Sequence, residues 1–151
     1  MADITQCEFT VFFSRHAEKA STKDKDPPLT ENGANRALAL AARLDAIPLR
    51  AIYATNYQRT QNTAKPTADA KSLAVSTYDA AQSAEFVQNL FASSCDGPLL
   101  IVGHSNTLPV MLRAAGINEV ATEFDENLYG MLYIVTRRQG RVTVQIDRFG
   151  D

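Results

Sequence analysis

The chain contains two histidines, and each of them follows an apolar run. His16 comes after Phe9–Ser14 and Arg15, and His104 comes directly after Leu99–Gly103. A neutral imidazole is a good nucleophile near pH 7, and an adjacent arginine offers two parallel donors to a phosphoryl group. This pattern predicts phosphoryl transfer. The alternative is that both are core histidines whose nitrogens are hydrogen-bonded.

The elements that must position these residues alternate between strand and helix. Continuous apolar runs predict buried strands at Phe9–Ser14 and Leu99–Gly103. The other predicted elements are a helix from Thr30 to Asp45, a strand at Ala51–Ala54, a helix from Asn56 to about Ala70 kinked at Pro66, a strand at Ala74–Tyr78, a helix at Ala81–Ala92, a helix that opens at Asn106 or Thr107 and ends before Gly116, and a hairpin of Leu128–Thr136 and Arg141–Asp147. We therefore predict one domain over residues 1–151. Its fold is a three-layer α/β/α sandwich, with a mostly parallel sheet and an antiparallel edge. Because ligands of such sheets bind at the carboxyl ends of the strands, both histidines fall at the ligand-binding edge.

The composition is that of an ordinary globular protein, with 45% hydrophobic residues, 21% charged residues and a net charge of −2. We expect neither a nucleic-acid nor a membrane partner, because the charge is small and no apolar run approaches the length of a membrane span.

Arg137, Arg138 and Arg141 flank a Gln-Gly pair, which predicts a solvated hairpin tip. The N-terminus lacks the basic and apolar regions of a signal peptide, although a signal already removed would leave no trace.

Four motifs occur in order between residues 9 and 110. They are Ser14–Lys19 (SRHAEK), Leu29–Gly33 (LTENG), Ile52–Ala64 (IYATNYQRTQNTA) and Val102–Thr107 (VGHSNT). Together they resemble the histidine phosphatase superfamily, which includes phosphoglycerate mutases and small bacterial phosphohistidine phosphatases. Ala17 stands where much of the family has glycine and Ser105 where many members have glycine or alanine, but neither change removes a functional group. The resemblance implies a phosphoglycerate mutase-like fold, and the absence of the long lid insertions of the mutases favours the short phosphatase branch.

Side-chain chemistry and this resemblance give the candidate residues their roles. His16 is expected to be the nucleophile, while Arg15 and Arg59 hold the phosphate oxygens and neutralise a metaphosphate-like transition state. An isolated Arg59 would be interpreted as a surface charge, but its place three residues past a predicted N-cap favours the site. His104 is expected to be a further donor, at least partly protonated when phosphate is bound. Asn106 is also expected to bind phosphate, and the helix that opens after it would add backbone N–H groups and its positive dipole end nearby.

The proton donor to a leaving oxygen is less clearly indicated. Asp79 follows a predicted strand where the family's acid-bearing segment would fall, and Glu18 is close to His16 in sequence. Asp79 also suits a helix cap. A phosphoramidate such as phosphohistidine needs less help, since its leaving nitrogen is readily protonated. No metal or other cofactor is expected, because both histidines have roles and no cluster of His or Cys has ligand spacing.

The two cysteines have equal offsets from the two histidines. Cys7 lies nine residues before His16, and Cys95 lies nine residues before His104. If the two strands are adjacent and in register, the cysteines lie about 4.8 Å apart, within the roughly 4.4–6.8 Å that a disulfide spans. The alternative is a pair of free cysteines, as in many cytosolic proteins. A bonded pair predicts an exported or periplasmic protein, and free cysteines predict a cytoplasmic one.

The sequence therefore predicts a metal-independent phosphatase that acts through a phosphohistidine at His16, with water as the final acceptor. The alternative function is a catalytically silent phosphate- or phosphopeptide-binding domain on the same scaffold. A mutase is disfavoured by the short length. The expected partner is a phosphorylated small molecule or phosphoprotein, and the expected state is a monomer. A protein phosphohistidine, a sugar phosphate and a nucleotide all remain open as substrates.

Overall fold

Six strands and four α-helices form the part of the chain that the structure describes. The structure is a computed structural model that describes residues 7–121 and 123–150. The strands are β1 (Phe9–Arg15), β2 (Ala51–Ala54), β3 (Val75–Thr77), β4 (Leu99–Gly103), β5 (Met131–Arg138) and β6 (Arg141–Arg148), and the helices are α1 (Glu31–Arg43), α2 (Gln58–Lys71), α3 (Ser83–Ser93) and α4 (Leu108–Ala114). A short 3₁₀ turn at Ala80–Gln82 leads into α3. Within the described ranges, no helix is both long and apolar enough to cross a membrane.

The strands form a sheet in the order β3–β2–β4–β1–β5–β6. The first four pair in parallel, whereas β5 pairs antiparallel with both β1 and β6. Helices α1 and α2 cover one face, where Leu40 and Ala64 are buried, and α3 and α4 cover the other, where Val87 and Met111 are buried. The predicted α/β/α sandwich, with its mostly parallel sheet and antiparallel edge, is confirmed.

Strand β1 lies inside the sheet and is buried on both faces. Val11 and Phe13 pack under α3 and α4, while Phe12 packs under α1 and α2. Successive side chains of a strand point to opposite faces, so a strand covered on both sides is apolar throughout. Its parallel neighbour β4 places Gly103 opposite Arg15. The residues that follow these two strands are therefore neighbours at one edge of the sheet.

Helix α1 begins at the predicted cap, Thr30. The Thr30 hydroxyl accepts a hydrogen bond from the Gly33 N–H at 3.0 Å, and the Thr30 N–H donates to the Glu18 carbonyl at 2.9 Å. A Cβ atom on Gly33 would lie 2.1 Å from that same carbonyl oxygen. The helix therefore packs directly against the segment after β1, and only glycine permits this approach.

The predicted cap of α2 is wrong. The helix begins at Gln58 after Tyr57, and no side-chain cap comes from Tyr57 or the predicted Asn56. The Gln58 N–H donates instead to Asp26 Oδ1 at 2.7 Å, across 32 residues of sequence. A cap from so distant a loop leaves no local signal. Arg59 is consequently the second residue of α2.

The start of β5 also differs from the prediction. The strand begins at Met131, not at Leu128. Gly130 has a φ of +79°, and a Cβ atom there would lie 2.6 Å from the Phe149 carbonyl oxygen. This left-handed residue interrupts the extended chain, so Leu128 and Tyr129 belong to the loop before the strand.

Arg137 is not part of a solvated tip, contrary to the prediction. It is 5% exposed, on the same sheet face as Val135. Its guanidinium donates to the carbonyl oxygens of Phe91 and Ser94 at the end of α3. Carbonyls at a helix C-terminus lack partners within the helix, which makes them natural acceptors for a buried arginine. Arg138, on the opposite face, is exposed.

A disulfide joins Cys7 and Cys95, whose Cα atoms lie 6.0 Å apart. Strands β1 and β4 pair with an offset of 88 residues, as between Val11 and Leu99, and the two cysteines have the same separation. The Arg137 guanidinium lies beside this bond, with Nη2 at 3.1 Å from Cys7 Sγ. The disulfide therefore lies at the edge of the sheet opposite to the histidines.

Candidate active site

His16 follows β1 and is 4% exposed. Its backbone N–H donates to the Gly103 carbonyl at 2.9 Å, and its ring Nδ1 lies 2.7 Å from the Ala17 carbonyl oxygen. Because a carbonyl oxygen only accepts, Nδ1 carries the proton and Nε2 keeps its lone pair. Burial, together with the Arg15 charge, lowers the pKa of His16 to about 3. The ring is therefore neutral near pH 7.

The His104 ring lies edge-on to the His16 ring, with 5.5 Å between centroids. His104 is 8% exposed, and its Nε2 lies 2.8 Å from Thr55 Oγ1. Burial, together with the charges of Arg59 and Arg15, lowers the pKa of His104 to about 4. The free protein therefore holds this ring neutral as well. A protonated His104, as expected in a phosphate complex, requires a proton to be taken up with the anion.

Arg15 is held by the loop before β5. Its Nη1 donates to the carbonyl oxygens of Leu128 (3.1 Å) and Glu126, and its Nη2 donates to the Tyr129 hydroxyl at 3.3 Å. The guanidinium carbon also lies 4.1 Å from the centroid of the Tyr129 ring, a cation–π contact. The terminal nitrogens expected to hold phosphate are thus partly engaged. The buried Nε has no hydrogen-bond partner.

Arg59 is held mainly through the face of its guanidinium. The guanidinium carbon lies 4.4 Å from the centroid of the Tyr57 ring, and Nη1 makes a long contact of 3.5 Å with the Lys25 carbonyl oxygen. Its Nε is buried and, like that of Arg15, has no hydrogen-bond partner. A buried donor without an acceptor is destabilising, and in a native protein it often marks a functional site.

The segment after β1 is tied to α2 through Thr63. The Ala17 N–H donates to Thr63 Oγ1 at 2.8 Å, and the Thr63 hydroxyl donates to the Arg59 carbonyl at 2.6 Å. One side chain thus connects the residue after His16 with the backbone of Arg59. This connection fixes the nucleophile candidate relative to one of the two arginines.

Sequence reasoning missed five residues that hold the four central side chains. They are Thr55, Tyr57, Thr60, Thr63 and Tyr129. Four of the five lie in the motif Ile52–Ala64, so their closeness to Arg59 in sequence was the available signal. Tyr129 lies 114 residues after Arg15 in the sequence, and no local pattern connects the two.

An open groove of about 250 Å³ borders Arg59, His104 and Asn106. Asn106 is exposed there, and its contact with phosphate stays a prediction. The N–H groups of Thr107 and Leu108, at the start of α4, both donate to the His104 carbonyl, at 3.1 and 2.9 Å. These two groups are therefore not available to a phosphate, contrary to what the position of the helix suggests.

The two candidate acids are engaged in other contacts. Asp79 Oδ1 accepts from the Ala81 N–H at 2.9 Å and caps the 3₁₀ turn, as the alternative interpretation of this residue expects. Both carboxylate oxygens of Glu18 accept from Arg36, at 2.8 and 3.0 Å, which directs them toward α1. Among residues 7–121 and 123–150, no group of three or more His, Cys, Asp or Glu side chains is placed to hold a metal ion.

Comparison of the sequence with protein families identifies the class. The sequence model of the histidine phosphatase superfamily (branch 1) matches residues 11–86, half of the chain. The chain therefore belongs to the histidine phosphatase superfamily, and it is a phosphatase enzyme. The matched span contains Arg15, His16 and Arg59, whereas His104 and Asn106 lie beyond it. No curated protein matches the chain.

Several solved structures have the same fold. The protein histidine phosphatase SixA complexed with tungstate superposes with a TM-score of 0.70 at 19% identity, covering 92% of this chain and 96% of SixA. YhfR from Bacillus stearothermophilus gives a TM-score of 0.76 at 18% identity, over 92% of this chain and 96% of YhfR. A mycobacterial glucosyl-3-phosphoglycerate phosphatase gives 0.65 at 15% identity, over 93% and 98% of the two chains. At these identities the likeness establishes the fold, which is phosphoglycerate mutase-like.

Proposed function

We propose that this phosphatase hydrolyses a phosphomonoester or a phosphohistidine, without a metal, through a covalent phosphohistidine on His16. The observation that carries the proposal is the hydrogen bond from His16 Nδ1 to the Ala17 carbonyl, which leaves Nε2 unprotonated. Arg15 and Arg59 each keep a buried Nε donor without a protein acceptor. An oxyanion between them would satisfy these donors. The tungstate held by SixA, a tetrahedral oxyanion, supports the same kind of ligand here.

In the first step, the lone pair of His16 Nε2 attacks phosphorus while the bond to the leaving group breaks on the opposite side. Arg15 and Arg59 donate to the phosphoryl oxygens, where the negative charge is located. Protonated His104 adds a further donor. The low pKa of His16 serves this step, because a protonated ring would have no lone pair with which to attack.

In the second step, water attacks the phosphorus of the phosphohistidine. The bond between phosphorus and Nε2 breaks, and its electron pair returns to the His16 ring. The protons of the water end on the released phosphate and in solvent. The enzyme is then ready for another cycle, because Nδ1 has kept its proton toward Ala17 throughout.

The leaving group determines whether an acid is needed. We propose Asp79 as the proton donor for ester substrates, because the residues after it, Ala80 and Ala81, border the groove at His104. A phosphohistidine substrate needs less assistance, since its leaving nitrogen is readily protonated by solvent. The substrates considered therefore differ in how strongly they should depend on Asp79.

The direct test is release of phosphate from para-nitrophenyl phosphate, a protein phosphohistidine, a sugar phosphate and a nucleotide. We expect turnover of at least one, abolished by His16→Ala. Rapid quenching should trap an acid-labile, alkali-stable phosphoenzyme that His16→Ala does not form. A catalytically silent binding domain would instead bind tungstate tightly and release no phosphate from any of these compounds.

We also propose that the protein acts in an oxidising compartment, exported or periplasmic. Disulfides persist in such compartments and are rare in the cytosol. The Cys7–Cys95 bond supports this assignment, because the pairing of β1 and β4 brings the two residues together. Alkylation of thiols in whole-cell extract, before and after reduction, tests it, and full labelling before reduction would contradict it.

A further inference from the structure

Two buried threonine hydroxyls connect His104 to the main chain before α2. Thr55 and Thr60 are both 0% exposed. Thr55 Oγ1 lies 2.8 Å from His104 Nε2 and 2.8 Å from Thr60 Oγ1. Thr60 Oγ1 in turn lies 2.8 Å from the Thr55 carbonyl oxygen and 3.0 Å from the Tyr57 carbonyl oxygen. The contacts form one continuous chain from the ring to the backbone.

The chemistry of these contacts determines the direction of each hydrogen bond. Carbonyl oxygens only accept, so the single hydroxyl proton of Thr60 points to the carbonyls of Thr55 and Tyr57. Thr60 Oγ1 must then accept from Thr55, because its own proton is already used. The Thr55 hydroxyl, having donated to Thr60, accepts from His104. Neutral His104 therefore carries its proton on Nε2.

We propose that Thr60 is a positioning residue that acts through Thr55 to hold His104 in the Nε2-protonated tautomer, so that Nδ1 is the atom that exchanges a proton with the bound phosphoryl group. This inference rests on the proposed function and deepens it, since it assigns the exchanging atom of the second histidine. Nδ1 makes no hydrogen bond within the described residues, and His104 borders the groove beside Arg59.

The charges around His104 agree with this role. Arg59 approaches from α2, while Arg15 and His16 approach from the end of β1. Two arginines beside the ring disfavour its protonation until a phosphoryl anion compensates their charge. The Nδ1–H formed by this uptake then donates to a phosphoryl oxygen, while the Nε2–H continues to donate to Thr55 Oγ1. Without that uptake, the neutral ring with its Nε2–H donating to Thr55 would offer the phosphoryl group the lone pair of Nδ1 and would repel it.

Removal of the Thr60 hydroxyl tests the relay. Thr60→Val keeps the branched shape, and we expect kcat to fall by about 10- to 100-fold, as when the partner that orients a metal-ligating imidazole is lost. Thr60→Ser keeps the hydroxyl and should restore most of the parent kcat, with KM changed little in either variant. A Thr60→Val enzyme with parental kcat, or equal losses in both variants, would overturn the proposal.

A spectroscopic measurement keeps the inference testable even if Thr60→Val does not fold. His16→Asn leaves His104 as the only imidazole, so its ¹⁵N resonances need no further assignment. We expect Nε2–H with bare Nδ1 at pH 7, and protonation of Nδ1 on addition of tungstate. An Nδ1–H tautomer without the anion would overturn the relay. Lack of phosphatase activity in the parent would instead overturn the proposed function, while the tautomer still reports on the relay.

Discussion

His104 lies 5.5 Å from His16, centroid to centroid, because each residue directly follows one of two paired strands. The same pairing joins Cys7 to Cys95 at the other end, since both pairs are separated by 88 residues. One register thus determines the geometry of the site and the closure of the disulfide. A slipped pairing of β1 and β4 would lose both together.

Binding of an oxyanion should be accompanied by proton uptake. At pH 7 tungstate is a dianion and His104, whose pKa is lowered to about 4, is neutral. If the bound anion raises that pKa above 7, about one proton enters from the buffer. Titration calorimetry in two buffers with different ionisation enthalpies measures this uptake. In His104→Asn we expect binding to be weaker and the uptake to vanish. Binding to the parent without a buffer-dependent enthalpy would contradict the assignment.

Loss of Arg59 should affect turnover far more than stability. Arg59→Ala removes one transition-state donor, which typically lowers the rate by about 10²–10³. The matched control is Arg50→Ala, because Arg50 precedes β2 at the opposite edge of the sheet and pairs with Asp96 in an exposed contact of 3.1 Å. We expect kcat to fall only in Arg59→Ala, with both melting temperatures near that of the parent. A rate within a few-fold of the parent would remove Arg59 from the mechanism.

The Asp79→Asn variant distinguishes two roles of Asp79, as the proton donor to the leaving group and as the cap of the 3₁₀ turn. Asparagine caps as well as aspartate, so the hydrogen bond to the Ala81 N–H should survive the change. If Asp79 is the proton donor, alkyl phosphates should lose rate while para-nitrophenyl phosphate and phosphohistidine keep theirs. Unchanged rates on alkyl esters would leave Asp79 with the cap alone. Equal loss on all three substrates would indicate a binding role.

The two histidines should make the fold sensitive to mild acid. Their pKa values are lowered from 6.5 to about 3 for His16 and about 4 for His104. Between pH 6.5 and these values the unfolded chain binds more protons than the folded one, so the free energy of unfolding falls as the pH falls. At pH 5 the loss relative to pH 7 is about 2 kcal/mol per histidine. Urea unfolding at both pH values measures it, and His104→Asn should show a smaller difference. An equal pH dependence in parent and variant would contradict these lowered pKa values.

Reduction of the disulfide should lower stability and spare catalysis. Opening a loop of this size typically costs about 2–5 kcal/mol. His16 lies nine positions after Cys7, an extended span of about 30 Å, so the histidines should keep their geometry. We expect dithiothreitol to shift the urea midpoint of the parent downward without changing kcat. The Cys7→Ser/Cys95→Ser double variant serves as the control and should not respond to the reagent. A loss of kcat in the reduced parent would contradict this prediction and would show that the disulfide affects the geometry of the two histidines.

Much of the fold was accessible from sequence because its signals are local or periodic. The apolar runs of β1 and β4 indicate burial on both faces, and Thr30 predicts the start of α1. The closeness of His16 and His104 follows once β1 and β4 are placed side by side in a parallel sheet, because each histidine directly follows one of these strands. The catalytic roles of these residues stay predictions.

What the sequence did not reveal comes from residues that meet only in the folded chain. Asp26 caps α2 from 32 residues away, and Tyr129 holds Arg15 from 114 residues away. Arg137 was predicted to be a surface charge because it lies near a turn among other arginines. The sequence around it does not show that the end of α3 packs against it. In each case the partner is distant in sequence, so neither periodicity nor spacing carries the signal.

The polar loop from Lys19 to Pro28 is less free to change than its composition suggests. Asp26 caps α2 and the Lys25 carbonyl contacts Arg59, whereas Ser21 and Lys23 are exposed. We expect an epitope tag or a fluorophore to be tolerated between Ser21 and Lys23, and not in the second half of the loop. A label at position 23 should leave the phosphatase activity unchanged. An insertion beside Asp26 would remove the cap of α2, the helix that carries Arg59.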